Sequence, residues 1–201
     1  MYLYKRIAVT NREIFFESHR EVCRHGDYDA YAEYLTELAA VTDIIILREK
    51  DLNNDEYKDL AEKLFKALKL SKGRKGEIIL HSHIKAAIQM NYKKIHLPIH
   101  IFQENLELLK GFEVTGVSVH SLEEACFAEA NGAHYVVASH IFQTECKKDL
   151  TPKGLDFLTN ICENIKIPVY ALGGITKENE LDTIYAGAFG ACRMSDYMKG
   201  I

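Results

Sequence analysis

The sequence predicts an α/β fold, a (β/α)8 barrel in a single domain spanning residues 1–201, with a last helix cut short. Two observations carry this. Short apolar, β-branched runs alternate with amphipathic helical stretches along the chain, and eight such runs are found. Several are nearly continuous in apolar residues, as a strand covered on both faces requires. Unbroken alternation of strand and helix sets the strands parallel, and eight of them close on themselves. The alternative, an open doubly wound sheet, has fewer strands and a Gly-rich first turn. Here the first turn, Val9-Thr10-Asn11-Arg12, holds no Gly.

The strands are expected at 6–10, 43–47, 77–81, 94–97, 113–119, 134–139, 168–172 and 189–194. Between the first two, a helix over 29–40 carries Tyr31, Tyr34, Leu35 and Leu38 on one face. Over 55–69, Tyr57, Leu60, Ala61, Leu64, Phe65 and Leu68 recur at helical spacing. Ser121 with Glu124 reads as a capping box opening a helix over 122–130. Thr151-Pro152 reads as an N-cap followed by Pro at the first helical position, ahead of Leu155, Leu158 and Ile161. After Met194 only seven residues remain. The last helix is therefore one or two turns, and the short tail points to cover from another chain, a homodimer.

Composition narrows the function classes. The chain is 47% apolar and 27% charged, which excludes disorder. A chain of this length buries roughly 70% of its unfolded surface, so the core needs no disulfide or metal staple. A net charge of −4 gives no electrostatic footprint for nucleic acid. The apolar run Ile44 to Leu47 is far short of a membrane span, and Lys5 and Arg6 precede no apolar signal region. Five Cys, odd in number and without a CxxC pair, read as reduced thiols in a cytoplasm.

In such a barrel the chemistry sits where strands end and βα loops begin. The residues there are Arg48, Glu49 and Lys50; His81, Ser82 and His83; His96 and His100; His120; Ser139 and His140; Gly173 and Gly174; Ser195 and Asp196. Gly173 and Gly174 run from a strand toward a helix start. Their amides, with those of Met194 and Ser195, suit a phosphate; the plainer reading is a tight turn. Arg48 and Lys50 place two cations at a strand end. They either face a substrate carboxylate, which Arg grips in a bidentate pair, or stand as solvated charge. His81 and His83, with His96, His100, His120 and His140, suggest a metal. The ends of strands three and four supply no Asp or Glu, so no metal is expected. His140 is either a structural hydrogen-bonding residue or a proton carrier. Lys147 and Lys148 sense an anion or are merely exposed. Cys146 and Cys192 have no partner base in sequence, so neither is expected as a nucleophile.

Four blocks carry a resemblance: Ile46-Leu47-Arg48-Glu49-Lys50, the stretch from Val117 through Val119-His120-Ser121 to Ala125, the stretch from Ser139-His140 through Phe142, Thr144 and Cys146 to Lys148, and Pro168 through Gly173-Gly174 to Thr176. The chain resembles the thiamine-phosphate synthase/TenI superfamily over nearly its whole length. The resemblance implies a (β/α)8 barrel and two branches of activity. The synthase branch joins a pyrimidine pyrophosphate to a thiazole phosphate with Mg²⁺. Arg48 and Lys50 match it and would serve the pyrophosphate. Ile46 stands where that branch has Gln, and its metal-holding acids near His81-Ser82 and His100 are missing. Ser139-His140 replaces its Gly-Pro.

The TenI branch is similar in His140 and in the Phe-x-Thr-x-Cys-Lys-Lys run. It implies a thiazole tautomerase, an isomerase that aromatises a carboxythiazole phosphate with His140 as proton carrier and with no cofactor or metal. That branch is the expectation, with a small-molecule thiazole phosphate as substrate and neither nucleic acid nor membrane as partner. The alternatives are the synthase reaction and a non-catalytic, regulatory thiazole-phosphate-binding protein. Arg193, where the family has an apolar residue, and Asp196, after the phosphate-binding Ser, are departures that bear on the phosphate site.

Overall fold

The eight apolar runs pair as parallel strands: β1 (Lys5–Val9), β2 (Ile44–Leu47), β3 (Glu77–His81), β4 (Lys94–Pro98), β5 (Val114–Val119), β6 (Tyr135–Ser139), β7 (Val169–Leu172) and β8 (Gly190–Arg193). They follow in chain order around a closed barrel. Each lies within one residue of its expected ends. The helices are α1 (Arg12–Ser18), α2 (Tyr28–Val41), α3 (Asn54–Leu70), α4 (Ile84–Gln89), α5 (Ile99–Glu104), α6 (Leu106–Leu109), α7 (Leu122–Ala130), α8 (Gly154–Asn164), α9 (Glu180–Tyr185) and α10 (Ser195–Lys199). This is a computed structural model, and it describes residues 4–73, 76–144 and 150–201. Cys146, Lys147 and Lys148 lie outside the described residues.

Two compact units are found. One holds Ile7–Tyr92 with Met194–Ile201, and the other holds Lys93–Arg193 with the chain start to Arg6. In the first unit, Ile45 pairs in register with Ala8 and with Ile78, so all of β2 is buried. Helix α3 lays Tyr57, Leu60, Ala61, Leu64 and Leu68 on its buried face. Its start is fixed by a capping box between Asn53 and Glu56. Helix α10 packs on α1. Tyr197 and Met198 of α10 are buried, and the Tyr34 hydroxyl of α2 donates to the Tyr197 carbonyl. Tyr197 and Met198 are thus covered by the chain itself, while Ile201 at its end is exposed.

In the second unit, β4 to β8 pair in sequence. Helix α8 starts at Gly154 rather than just after Thr151. The amides of Lys153 and Gly154 donate to the carbonyls of His140 and Ile141, which holds the chain against the end of β6 before it turns helical. Helix α9 starts at Glu180, so several residues separate it from the Gly pair. The expectation of a helix start directly after Gly173-Gly174 is corrected accordingly.

Candidate active site

In the first unit the site is built around Glu49, just past β2. This carboxylate is 2% exposed. It accepts hydrogen bonds from Thr10 Oγ1 (2.5 Å), Tyr31 Oη (2.7 Å) and the Arg12 amide (3.0 Å). Burial raises its pKa, and these donors pull the other way. Thr10 Oγ1 in turn accepts from the Arg48 amide at 2.8 Å. The backbone that carries Arg48 and Lys50 is therefore pinned to the turn after β1. The Arg12 guanidinium, nine-tenths buried, pairs with Glu13 and Asp51.

The His81-x-His83 pair does not act as one unit. Strand β3 ends at His81, and Ser82 takes a positive φ of 62°. His83 leaves the strand, stacks on Tyr57 (centroids 3.9 Å apart) and places Nε2 3.4 Å from the Glu49 carbonyl. Burial lowers its pKa. Met194 stands at the start of α10 and Ser195 is its first residue, with Asp196 in the first turn.

In the second unit, His140 directly follows β6 and is 4% exposed. Its Nε2 lies 3.4 Å from the Leu150 carbonyl, and the Ser139–His140 peptide is cis. Gly173 (φ +109°) lies behind it, where a Cβ would fall 2.3 Å from the His140 Cβ. At Gly174 (φ +64°) a Cβ would fall 2.3 Å from the Gln143 carbonyl oxygen. Both glycines thus meet a steric demand from the loop after β6, whose amides at Ile141 and Phe142 donate to Leu172 and Gly173. Gly173→Ala is expected to lower the unfolding midpoint by several degrees, since clash and positive φ together cost about 2–4 kcal/mol. Thermal unfolding monitored by circular dichroism checks this.

His120 places Nδ1 2.9 Å from the Ser139 carbonyl. His96 is fully enclosed, between Ser118 and Tyr135, and burial pushes its pKa down to about 3. The unfolded chain protonates this ring near 6.5 while the folded chain keeps it neutral. Between those values the unfolded state binds more protons, so stability falls as pH drops through the window. Urea midpoints at pH about 7 and about 5 are expected to fall more steeply in the wild type than in His96→Gln.

Arg193 also finds its reason. Its Nε is 3.5 Å from Glu180 Oε2, with both side chains about nine-tenths buried. Tyr4 Oη donates to the other carboxylate oxygen at 2.6 Å, and burial together with Glu180 pushes the phenol up to about 12. A cation in strand eight is tolerated because a buried acid faces it. Cys192 is buried and its thiol is pushed up, which suits core packing and not nucleophilic attack.

The sequence profile of a family described as thiamine monophosphate synthase matches residues 20–196. The chain belongs to the thiamine monophosphate synthase family. It is 32% identical to the thiamine-phosphate synthase of Clostridium acetobutylicum over 98% of this chain and 88% of that one. It is 33% identical to a putative thiamine-phosphate synthase 2 of Aquifex aeolicus, covering 78% of this chain and 83% of the other. A thiamine phosphate pyrophosphorylase from Pyrococcus furiosus superposes with a TM-score of 0.74 at 24% identity, covering 98% and 88% of the two chains. This last likeness establishes the shared barrel.

These relatives overturn the isomerase expectation. They carry the name of a synthase, a transferase, and the likeness to the Clostridium protein runs the length of the chain. The TenI reading rested on His140, on one loop motif, most of whose later residues lie outside the described residues, and on the synthase branch's missing acids. The family's implied magnesium was also tested against the side chains, and the fit is poor. The cation takes oxygen ligands. Around the carboxyl ends of β3 and β4 stand His81 at the end of β3, His83 just after it, His96 inside β4 and His100 in α5. Glu49 is occupied by Thr10, Tyr31 and Arg12, and Asp51 by Arg12. Among the described residues no group of three or more His, Cys, Asp or Glu is arranged to hold a metal. No helix among the described residues is long and apolar enough to cross a membrane.

Proposed function

We propose that this chain is a transferase of thiamine phosphate assembly, joining a pyrimidine pyrophosphate to a thiazole phosphate. The observation that carries the reading is the near full-length likeness to the Clostridium synthase. Coupling breaks the carbon–oxygen bond to pyrophosphate, whose oxygens take the electron pair and the developing charge, while the thiazole ring nitrogen gives its lone pair to the same carbon and forms the new carbon–nitrogen bond. Arg48 and Lys50 are the cations for that charge, and fixed donors stabilise it without reorganising. The amides of Gly173 and Gly174 serve the thiazole phosphate. Coupling has no step that carries a proton between two carbons. His140, packed on Gly173, is therefore a wall of this site that orients the heterocycle. The small-molecule substrates are phosphate esters.

A second reading, a binder of thiazole phosphate without turnover, is favoured by one observation: His81 at the end of β3 and His100 in α5 stand near where the resemblance implies metal-holding acids. Calorimetric titration of each half separately distinguishes the two. The transferase reading expects the pyrimidine pyrophosphate to bind, and Arg48→Ala to weaken it selectively. Binding of thiazole phosphate alone supports the second reading and overturns the first.

A further inference from the structure

We propose that this chain binds the pyrophosphate group without a divalent cation, so that Mg²⁺ competes with the protein for the anion instead of carrying it into the site. The role of Arg48 and Lys50 here rests on the transferase reading; the cation independence departs from what the family resemblance implies. It is carried by what the carboxylates around these residues already do. Those nearest in sequence to the ends of β1 and β2 are Glu13, Glu49 and Asp51. Glu49 is closed to solvent and accepts from Thr10, Tyr31 and the Arg12 amide. Asp51 and Glu13 both pair with the Arg12 guanidinium, and Glu13 Oε2 also lies 2.9 Å from His25 Nε2. Past β3 there is no acid to add, since no Asp or Glu occurs between Glu77 and Glu104.

Magnesium wants oxygen ligands in octahedral array, commonly a carboxylate or two beside the phosphates. Asp51 could serve only by leaving Arg12, whose side chain is nine-tenths buried. Parting that pair strands a buried cation, which is strongly unfavourable. Glu49 could serve only by giving up its three donors, each left unsatisfied at a cost. After β3 the chain offers an imidazole: His83 stacks on Tyr57 and turns Nε2 toward the Glu49 carbonyl. All of these groups belong to the unit that holds Ile7–Tyr92. Arg48, half-buried, and Lys50, exposed, therefore meet the anion directly. Guanidinium and ammonium pair best with bare phosphoryl oxygens. A cation already on those oxygens cancels part of their charge and covers the lone pairs. The site loses attraction to that complex and gains no metal bond in return.

Calorimetric titration of inorganic pyrophosphate into the full chain, once in EDTA and once in excess Mg²⁺, tests this. Binding in EDTA is expected, roughly fivefold or more tighter than in Mg²⁺. Arg48→Ala and Lys50→Ala are each expected to weaken the binding in EDTA about tenfold. Unchanged unfolding midpoints in both variants tie that loss to the missing cation. Binding in Mg²⁺ that is as tight as in EDTA or tighter overturns the inference, and so does the absence of binding in EDTA. Coupling of the two halves, assayed in the same two buffers, separates this inference from the reading it rests on. Metal-free binding with no coupling in either buffer removes the transferase reading and leaves the cation-independent site standing. Coupling together with binding that Mg²⁺ tightens does the reverse.

Discussion

Arg48→Ala is expected to slow coupling by about a hundredfold or more, with little change in fold stability. Arg48 sits just past β2, and its backbone amide is held by Thr10 Oγ1. Alanine keeps that amide bond and removes the side chain beyond Cβ, the guanidinium included. The loss therefore falls on charge that develops at the departing pyrophosphate, where a positioned cation matters most. Arg48→Lys restores the charge without the planar fork, so partial recovery is expected. Steady-state pyrophosphate release by the three proteins checks this. An unchanged rate in Arg48→Ala would remove the role assigned to the residue.

Glu49→Ala is expected to destabilise the fold by about 3 kcal/mol or more. The carboxylate takes donors from Thr10, Tyr31 and the Arg12 amide in a site closed to solvent. Truncation strands buried donors, each costing about 1–3 kcal/mol. In a chain of this size that lowers the melting midpoint by roughly 6–12 °C. Glu49→Gln does not restore it, because its amide group turns donors toward donors. The same variants should raise KM for the pyrophosphate half more than they lower kcat, since the backbone of Arg48 and Lys50 is loosened. Equal melting midpoints for Glu49→Ala and the wild type would contradict this account of the hub.

The strands were legible because each is an apolar run bounded by polar residues, and such runs in α/β sheets have few other uses. Long helices were legible through their spacing. Helices α1, α4, α5, α6 and α9 were not, because four to seven residues are too few to show a period. At α7 the Ser121 half of the capping box is present, while Glu124 Oε2 accepts from the His120 amide. The full box lies at Asn53 and Glu56, which local reading passed over.

The site was less legible for a physical reason. Glu49 reads as one charge in a charged triplet, and only its donors from Thr10, Arg12 and Tyr31 reveal a buried hub. Gly173 and Gly174 read as a phosphate cradle, yet the close approach of His140 and Gln143 is a contact between loops far apart in sequence. Ser118 and Tyr135 were absent from the sequence-based candidates, and His96 was counted there only among candidate metal ligands. The signal available was Gly116 beside alternating strand residues, which marks a place where a large ring approaches the backbone. The isomerase expectation gave His140, one loop motif and the missing acids more weight than the match along the whole chain bears.

Phosphorus-31 NMR of the purified protein mixed with pyrimidine pyrophosphate and thiazole phosphate tests the central claim most directly. The transferase account predicts that the coupled doublets of the ester pyrophosphate give way to the singlet of free pyrophosphate, with one thiazole phosphate consumed per turnover. A spectrum that stays unchanged while the thiazole phosphate is bound would contradict it.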